Sequence, residues 1–231
     1  MTAVFPSLQQ QSDAQTKLVL ALPKGRILET CDKVLEKAGI RPEPDLFNES
    51  SRKLRFVTNH SELDVVRVRS FDVATFVAFG GAQIGICGSD VLMEFDYPEI
   101  YAPLDLDIAK CRISVAEPVA TAGMDDPSTW SRVRVATKYP NITKRHYATR
   151  GIHADVVHLN GAMEIAPSLG LTRQIVDLVD TGRTLKANGL VETEVIHLIS
   201  SRLIVNRTAL KTRPEEIGNW IARFREALTT P

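Results

Sequence analysis

Short apolar runs alternate with segments of helical period along most of the sequence, and this alternation constrains the fold more than any other feature. Leu18-Val-Leu-Ala-Leu22 is apolar at every position, the pattern of a strand buried on both faces, as in parallel sheets. After Pro23-Lys24-Gly25, apolar residues recur at Ile27, Leu28, Cys31, Val34, Leu35 and Ala38. That spacing predicts a helix, with Gly39 as its C-terminal stop. Strands are expected over 53–57, 64–68 and 83–87, a helix over 72–79, and a short helix after Ser89. A second, less regular set follows: strands over 112–117 and 132–137, a helix after Pro140, and strands over 155–159 and 174–179. Such alternation implies an α/β fold with mostly parallel sheets. A last helix is signalled by Thr212 and Glu215 as a capping box, with Pro214 in its first turn. Its apolar stripe is Ile217, Trp220, Ile221, Phe224 and Leu228. No internal repeat is visible. If there are two lobes, the chain changes over near Asp107 and near Glu192.

Composition removes several classes of function. Lys+Arg and Asp+Glu both number 28 and aromatics are 6%, so the basic excess interleaved with aromatics that nucleic-acid binding needs is missing. The three cysteines, Cys31, Cys87 and Cys111, share no short spacing, which argues against a disulfide framework or a zinc site. Apolar runs fall far short of the roughly 18 residues of a membrane-spanning helix. Residues 1–16 are polar, Gln-rich and without Lys or Arg; they read as a loose extension, not an export signal, and a cytoplasmic location is expected.

The most informative stretch is Ile175-Val-Asp-Leu-Val-Asp-Thr-Gly-Arg-Thr-Leu185. An apolar strand runs directly into Thr181-Gly182-Arg183-Thr184, and a helical segment follows. Such a turn can aim successive N–H groups at one anion, with Gly182 allowing close approach and Thr181 and Thr184 adding hydroxyls. Taken alone, the same pattern also arises when Asp180 or Thr181 merely caps a helix. The surrounding carboxylates favour a ligand. Asp177 lies inside an apolar strand, where an unused charge costs stability, and Glu164 lies in Asn160-Gly-Ala-Met-Glu-Ile-Ala-Pro167. Phosphate donors beside acceptor-only carboxylates suit a ribose 5-phosphate. Lys24 and Arg26, following a strand's carboxyl end, suit a second anion; Arg52, Lys53 and Arg69 are further basic candidates, each readable singly as a solvated surface charge.

Leu22-Pro-Lys-Gly-Arg26, Phe71-Asp-Val through Gly85-Ile-Cys-Gly-Ser-Asp90, Arg134-Val-Ala-Thr-Lys-Tyr-Pro140 and Gly161 through Leu190 occur in an order that resembles the ATP phosphoribosyltransferase family, from about Lys17 to Leu228. The resemblance implies two lobes of the type II periplasmic-binding-protein kind, with the active site in the cleft between them. Lobe I would comprise 17–107 plus 192–231, and lobe II 108–191, carrying the phosphoribosyl loop. It implies transfer of the 5-phosphoribosyl group of phosphoribosyl pyrophosphate (PRPP) to N1 of ATP, releasing pyrophosphate, as the first step of histidine biosynthesis. Carried over by position, Thr181, Gly182, Arg183 and Thr184 would hold the 5-phosphate and Glu164 and Asp177 the ribose hydroxyls, with Asp180 in the same PRPP site. Lys24, Gly25, Arg69 and Asp90 would line the ATP and pyrophosphate side, with Arg26, Arg52 and Lys53 as the catalytic cations. Ser70 and Ala74 stand where Pro is more usual, and Gln83 where Asp is; none of the three touches the phosphate loop.

With the sequence ending at Pro231, the C-terminal regulatory domain of the family's long form is not expected. The short form is therefore expected: a homodimer working with a regulatory subunit that resembles histidyl-tRNA synthetase, in a hetero-oligomer, expected to be a hetero-octamer. Magnesium is expected to arrive on the substrates' phosphates, with no dedicated protein ligands. No Ser-His-Asp or Cys-His arrangement is evident, in keeping with a nucleophile that carries its own lone pair. The alternative is a non-catalytic bilobal module that binds a small phosphorylated ligand.

Overall fold

The structure, a computed structural model, describes residues 17–126 and 129–229; the extension expected over 1–16 lies outside the described residues. β1 (Leu18–Pro23) is buried along its whole length. α1 (Arg26–Lys37) turns Leu28, Cys31, Val34 and Leu35 inward. It stops where Gly39 takes φ 75°. There the Gly39 N–H reaches the Glu36 carbonyl at 2.9 Å and the Ile40 N–H reaches the Leu35 carbonyl at 2.8 Å, a Schellman arrangement that satisfies the last turn. Next come β2 (Arg55–Val57), β3 (Leu63–Val68), α2 (Ser70–Ala78), β4 (Ile84–Gly88), α3 (Ser89–Phe95) and β5 (Ile100–Asp105). The remainder supplies β6 (Cys111–Pro118), β7 (Arg132–Thr137), α4 (Pro140–Ala148), β8 (His153–His158) and β9 (Gln174–Val179). After α5 (Arg183–Ala187) follow β10 (Leu190–Ile199), β11 (Ser201–Asn206), α6 (Arg207–Thr212) and α7 (Pro214–Thr229).

The strands form a six-stranded sheet, in the order β2-β3-β1-β4-β11-β5, and a five-stranded sheet, β10-β6-β9-β7-β8. β1 is parallel to β3 and β4, and β7 is parallel to β8 and β9. Each sheet thus holds a parallel trio in which the strand first in sequence sits between the second and the third. Antiparallel pairings extend each trio within its own sheet: β2 with β3 in the first, β6 with β9 and β10 with β6 in the second. The sequence shows no repeat, yet this topology occurs twice. In such a trio the chain leaves the first strand towards the second, on one side, while the third lies on the other, the arrangement that opens a crevice beyond the carboxyl ends of the first and third strands. The chain beyond β1 and β7 is therefore where ligands are expected.

Contacts divide the described residues into two units, one up to Ile86 and from Val205 on, the other Cys87–Ile204. The changeover expected near Glu192 falls inside β10, which pairs with β6 over its whole length. The one near Asp107 lies in the loop between β5 and β6. Two expectations about the C-terminal helices are corrected. Thr212 does not cap α7: it ends α6, and its hydroxyl donates back to the Thr208 carbonyl at 3.0 Å. The stripe of α7 buries Ile217, Trp220, Ile221, Phe224 and Ala227, while Leu228 is exposed. Among the described residues no helix is long and apolar enough to cross a membrane.

Candidate active site

β9 delivers the chain into the turn at Asp180. Gly182 there takes φ 73°, ψ 3° and opens α5, with no side chain capping the helix. Neither Asp180 nor Thr181 is therefore the simple N-cap the sequence also allowed. A Cβ at Gly182 would meet no protein atom within 4 Å, so within the fold itself the glycine answers a torsional demand. The helix it opens has five residues, so the turn's own N–H groups and hydroxyls, more than a helix dipole, would meet an anion. The Arg183 Nε donates to the Thr181 Oγ1 at 3.2 Å. From β6, the Arg112 guanidinium donates to the Asp180 carbonyl at 2.9 Å. Arg112 is itself clamped by both carboxylate oxygens of Glu192, at 2.6 and 2.5 Å, and the Ser114 hydroxyl donates to the same carboxylate at 2.6 Å. That clamp holds Glu192 below the usual carboxylate range.

The two carboxylates expected around a sugar converge on the same place. Glu164 sits in a short 3-10 turn, Met163–Ile165, entered through Ala162 in the left-handed conformation (φ 55°, ψ 36°). That backbone costs a side chain about 1–2 kcal/mol. It is held by burial: Met163, Val179 and Leu185 belong to one apolar cluster with Ala116, Ala136 and Ile175. One core therefore anchors both the acidic turn and the phosphate turn. All seven residues assigned to the phosphoribosyl group (Glu164, Asp177 and Asp180 to Thr184) line a single cavity of about 150 Å³, floored by Leu178, Val179 and Leu185. Asp177 accepts the Leu178 N–H at 2.8 Å. Its carboxyl is pushed up to about 6, first by burial and then by the nearby Glu164 and Asp90 charges, against the pull of Lys138.

Asp90, expected on the ATP side, is buried in α3, where the Tyr139 hydroxyl donates to it at 2.8 Å. Its carboxylate folds back over Gly88: a Cβ at that glycine would lie 2.0 Å from Asp90 Oδ1. Burial raises the Asp90 carboxyl despite that hydroxyl and the N–H groups of Asp90 and Val91, which it also accepts. Sequence reasoning missed Tyr139 as a participant. The available signal was its place in Lys138-Tyr139, directly beyond the carboxyl end of β7.

The basic candidates gather at one edge of the six-stranded sheet. Pro23 pairs with Val68, so Lys24 and Arg69 leave adjacent parallel strands side by side. β2 runs antiparallel to β3, with Arg55 opposite Val66, which brings Arg52 and Lys53 to that same edge. Gly25, at φ 81° and ψ −152°, adopts a backbone shape essentially reserved for glycine and sets Arg26 as the first residue of α1. Lys24 and Gly25 line a cavity of about 310 Å³ with Leu28, Phe47, Glu49 and Arg67; Arg26, Arg52, Lys53 and Arg69 do not line it. Arg26, Arg52 and Arg69 are exposed. The Lys53 ammonium is engaged with Glu43, whose carboxyl that bond lowers.

A family model for ATP phosphoribosyltransferase matches residues 69–226. The chain belongs to the ATP phosphoribosyltransferase family. It is 65% identical over 213 residues to the ATP phosphoribosyltransferase of Paramagnetospirillum magneticum, covering 92% of this chain and 97% of that protein. It is 66% identical over 218 residues to that of Gluconobacter oxydans, covering 94% and 90%. Among solved structures it resembles the ATP phosphoribosyl transferase (HisG:HisZ) complex from Thermotoga maritima, with TM-score 0.76, 33% identity, and coverage of 91% of this chain and 98% of that chain. Its activity is the family's, transfer of a phosphoribosyl group to ATP at the first step of histidine biosynthesis. The alternative of a non-catalytic module gives way to that membership.

Proposed function

We propose that the cavity at the end of β9 holds the phosphoribosyl half of PRPP, with its 5-phosphate on the N–H groups and hydroxyls of Thr181 to Thr184 and its ribose hydroxyls on Glu164 and Asp177. The convergence of those residues on one cavity supports this reading. Adenine N1 brings its own lone pair to C1, so bond formation needs no general base. Pyrophosphate leaves as the C1–O bond breaks. The protein's task is orientation and stabilisation of the negative charge that grows on the leaving group. Arg26, Arg52 and Lys53 are assigned that charge, with Lys24, Gly25, Arg69 and Asp90 on the side of ATP and pyrophosphate. Magnesium is carried by the substrates' phosphates. Among the described residues no three His, Cys, Asp or Glu side chains gather as a ligand set.

The solved relative that is a HisG:HisZ complex supports a regulatory partner. In this reading the catalytic chain dimerises, joins a subunit resembling histidyl-tRNA synthetase in a hetero-octamer, and works in the cytoplasm. Histidine then inhibits mainly through the partner. Mixing the purified chain with ATP, PRPP and magnesium, with and without that partner, and following the ultraviolet absorbance of the product tests both halves. Turnover is expected in each case and strong histidine inhibition only with the partner; strong inhibition of the isolated chain contradicts the division of labour. Removing one leaving-group donor raises a barrier by about 3 kcal/mol. Arg52→Ala is therefore expected to lower kcat about a hundredfold with a smaller change in ATP binding, and a change confined to the Michaelis constants removes Arg52 from this role.

A further inference from the structure

Arg67 lies on β3 and is 3% exposed, yet its guanidinium reaches no carboxylate within ion-pair distance among the described residues. It is spent on backbone carbonyls instead. One terminal nitrogen donates to the carbonyls of Leu46 and Asn48 at 2.6 and 2.8 Å. The other donates to those of Ser51 and Lys53 at 2.8 and 3.4 Å. The group stacks 5.3 Å from the centroid of buried Phe56, and Asp45 supplies the nearby counter-charge. The Arg67 Nε finds no partner, so the fork is committed to the loop at the expense of one of its own donors. The Arg67 N–H adds a bond to the Leu54 carbonyl at 2.8 Å.

Within the pinned segment, 46–53, Ser51 donates to Asp45 at 2.5 Å and Ser50 to Asn48 at 2.7 Å. Leu46 is buried, and the Lys53 ammonium is tied to Glu43, which accepts the Val57 N–H of β2 at 3.2 Å; Arg67 adds the ties from β3 to the backbone of residues 46 to 53. Tying the carbonyls of residues 51 and 53 inward fixes the backbone on both sides of Arg52. The same loop carries Phe47 and Glu49 into the 310 Å³ cavity that Arg67 itself lines. We propose that Arg67 is a positioning residue for phosphoribosyl transfer, holding the 46–53 loop so that Arg52 and Lys53 are aimed at the departing pyrophosphate. The inference rests on the assignment of Arg52 and Lys53 proposed above. A planar fork suits four carbonyls; a lysine ammonium is a point charge with three donors and cannot span them.

The test is steady-state kinetics of the whole chain for Arg67→Lys, Arg67→Met, Arg52→Ala and the double variant Arg52→Ala/Arg67→Met, each checked by thermal melting. Arg67→Lys and Arg67→Met are expected to lower kcat by about tenfold or more with PRPP and ATP Michaelis constants within about threefold, the signature of a lost transition-state interaction. The double variant is expected to be within about twofold of Arg52→Ala alone, because coupled residues do not lose rate independently. A merely structural role would multiply the two losses, and that result overturns the inference. So does full kcat in a folded Arg67 variant while Arg52→Ala is slow. Full kcat in Arg52→Ala removes the leaving-group assignment first and the role of Arg67 with it. Should Arg67→Met fail to fold, Arg67→Lys, which keeps the charge, carries the comparison.

Discussion

Replacing Asp177 by Asn is expected to make the protein more stable and a worse enzyme. The carboxyl ordinarily titrates at 3.8 and is raised to about 6, chiefly because burial penalises its charged form. That gap of about two pH units, at 1.36 kcal/mol each, corresponds to about 3 kcal/mol. The sign follows from linkage. Below about pH 4 both folded and unfolded states hold the proton, and the group costs nothing. As pH rises towards 6 the unfolded chain ionises first, and above 6 the full cost of the buried charge is present. Asp177→Asn keeps an oxygen for the Leu178 N–H and removes the charge that Glu164 and Asp90 repel. It also deprives Lys138 of an attractive partner, so about 3 kcal/mol is an upper bound. Urea unfolding at pH 8, 6 and 4 is the assay. A gain approaching that bound at pH 8, shrinking through pH 6 and absent at pH 4, is expected, together with weaker PRPP binding at pH 8. A variant no more stable than the parent at pH 8 would refute the claim that burial strains this carboxylate, and unchanged PRPP binding would refute its contact with the ribose.

Gly182→Ala places a side chain in a left-handed turn residue and should cost about 1–2 kcal/mol of stability, visible in thermal melting; no loss would mean that the turn relaxes freely. Arg112→Ala removes the donor to the Asp180 carbonyl, and the KM for PRPP is expected to rise about tenfold with that for ATP little changed, given the strength of a charged hydrogen bond. Equal effects on both substrates would place Arg112 outside the phosphoribosyl turn. Tyr139→Phe leaves the buried Asp90 carboxylate one donor short, and a loss of about 1–3 kcal/mol is expected from urea midpoints at pH 7; an unchanged midpoint would show that other donors suffice.

Apolar periodicity made β1, β4, β7, β9 and α1 readable, because burial on both faces or on one stripe leaves an unambiguous pattern. β10 escaped for a physical reason. It is an edge strand whose exposure alternates from Leu190 to His197, but Glu192 and Glu194 stand on the more buried side and Val191 and Val195 on the exposed one, so the apolar pattern does not follow the faces. The capping box at Thr212 failed because α6 takes that residue first. The phosphate turn was legible because its donors are contiguous in the chain. Tyr139, Arg67 and Arg112 were not, since their partners lie 49, 14 to 21, and 68 residues away, and no local spacing encodes such contacts.

Calorimetric titration of PRPP and, separately, of ATP into the parent chain and into Thr181→Val/Thr184→Val tests the phosphoribosyl site most directly. Loss of two hydroxyl donors to a charged phosphate should weaken PRPP at least about tenfold while ATP binding stays within about twofold. Undiminished PRPP affinity, or an equal loss for both ligands, would mean that the turn beyond β9 does not grip the sugar phosphate.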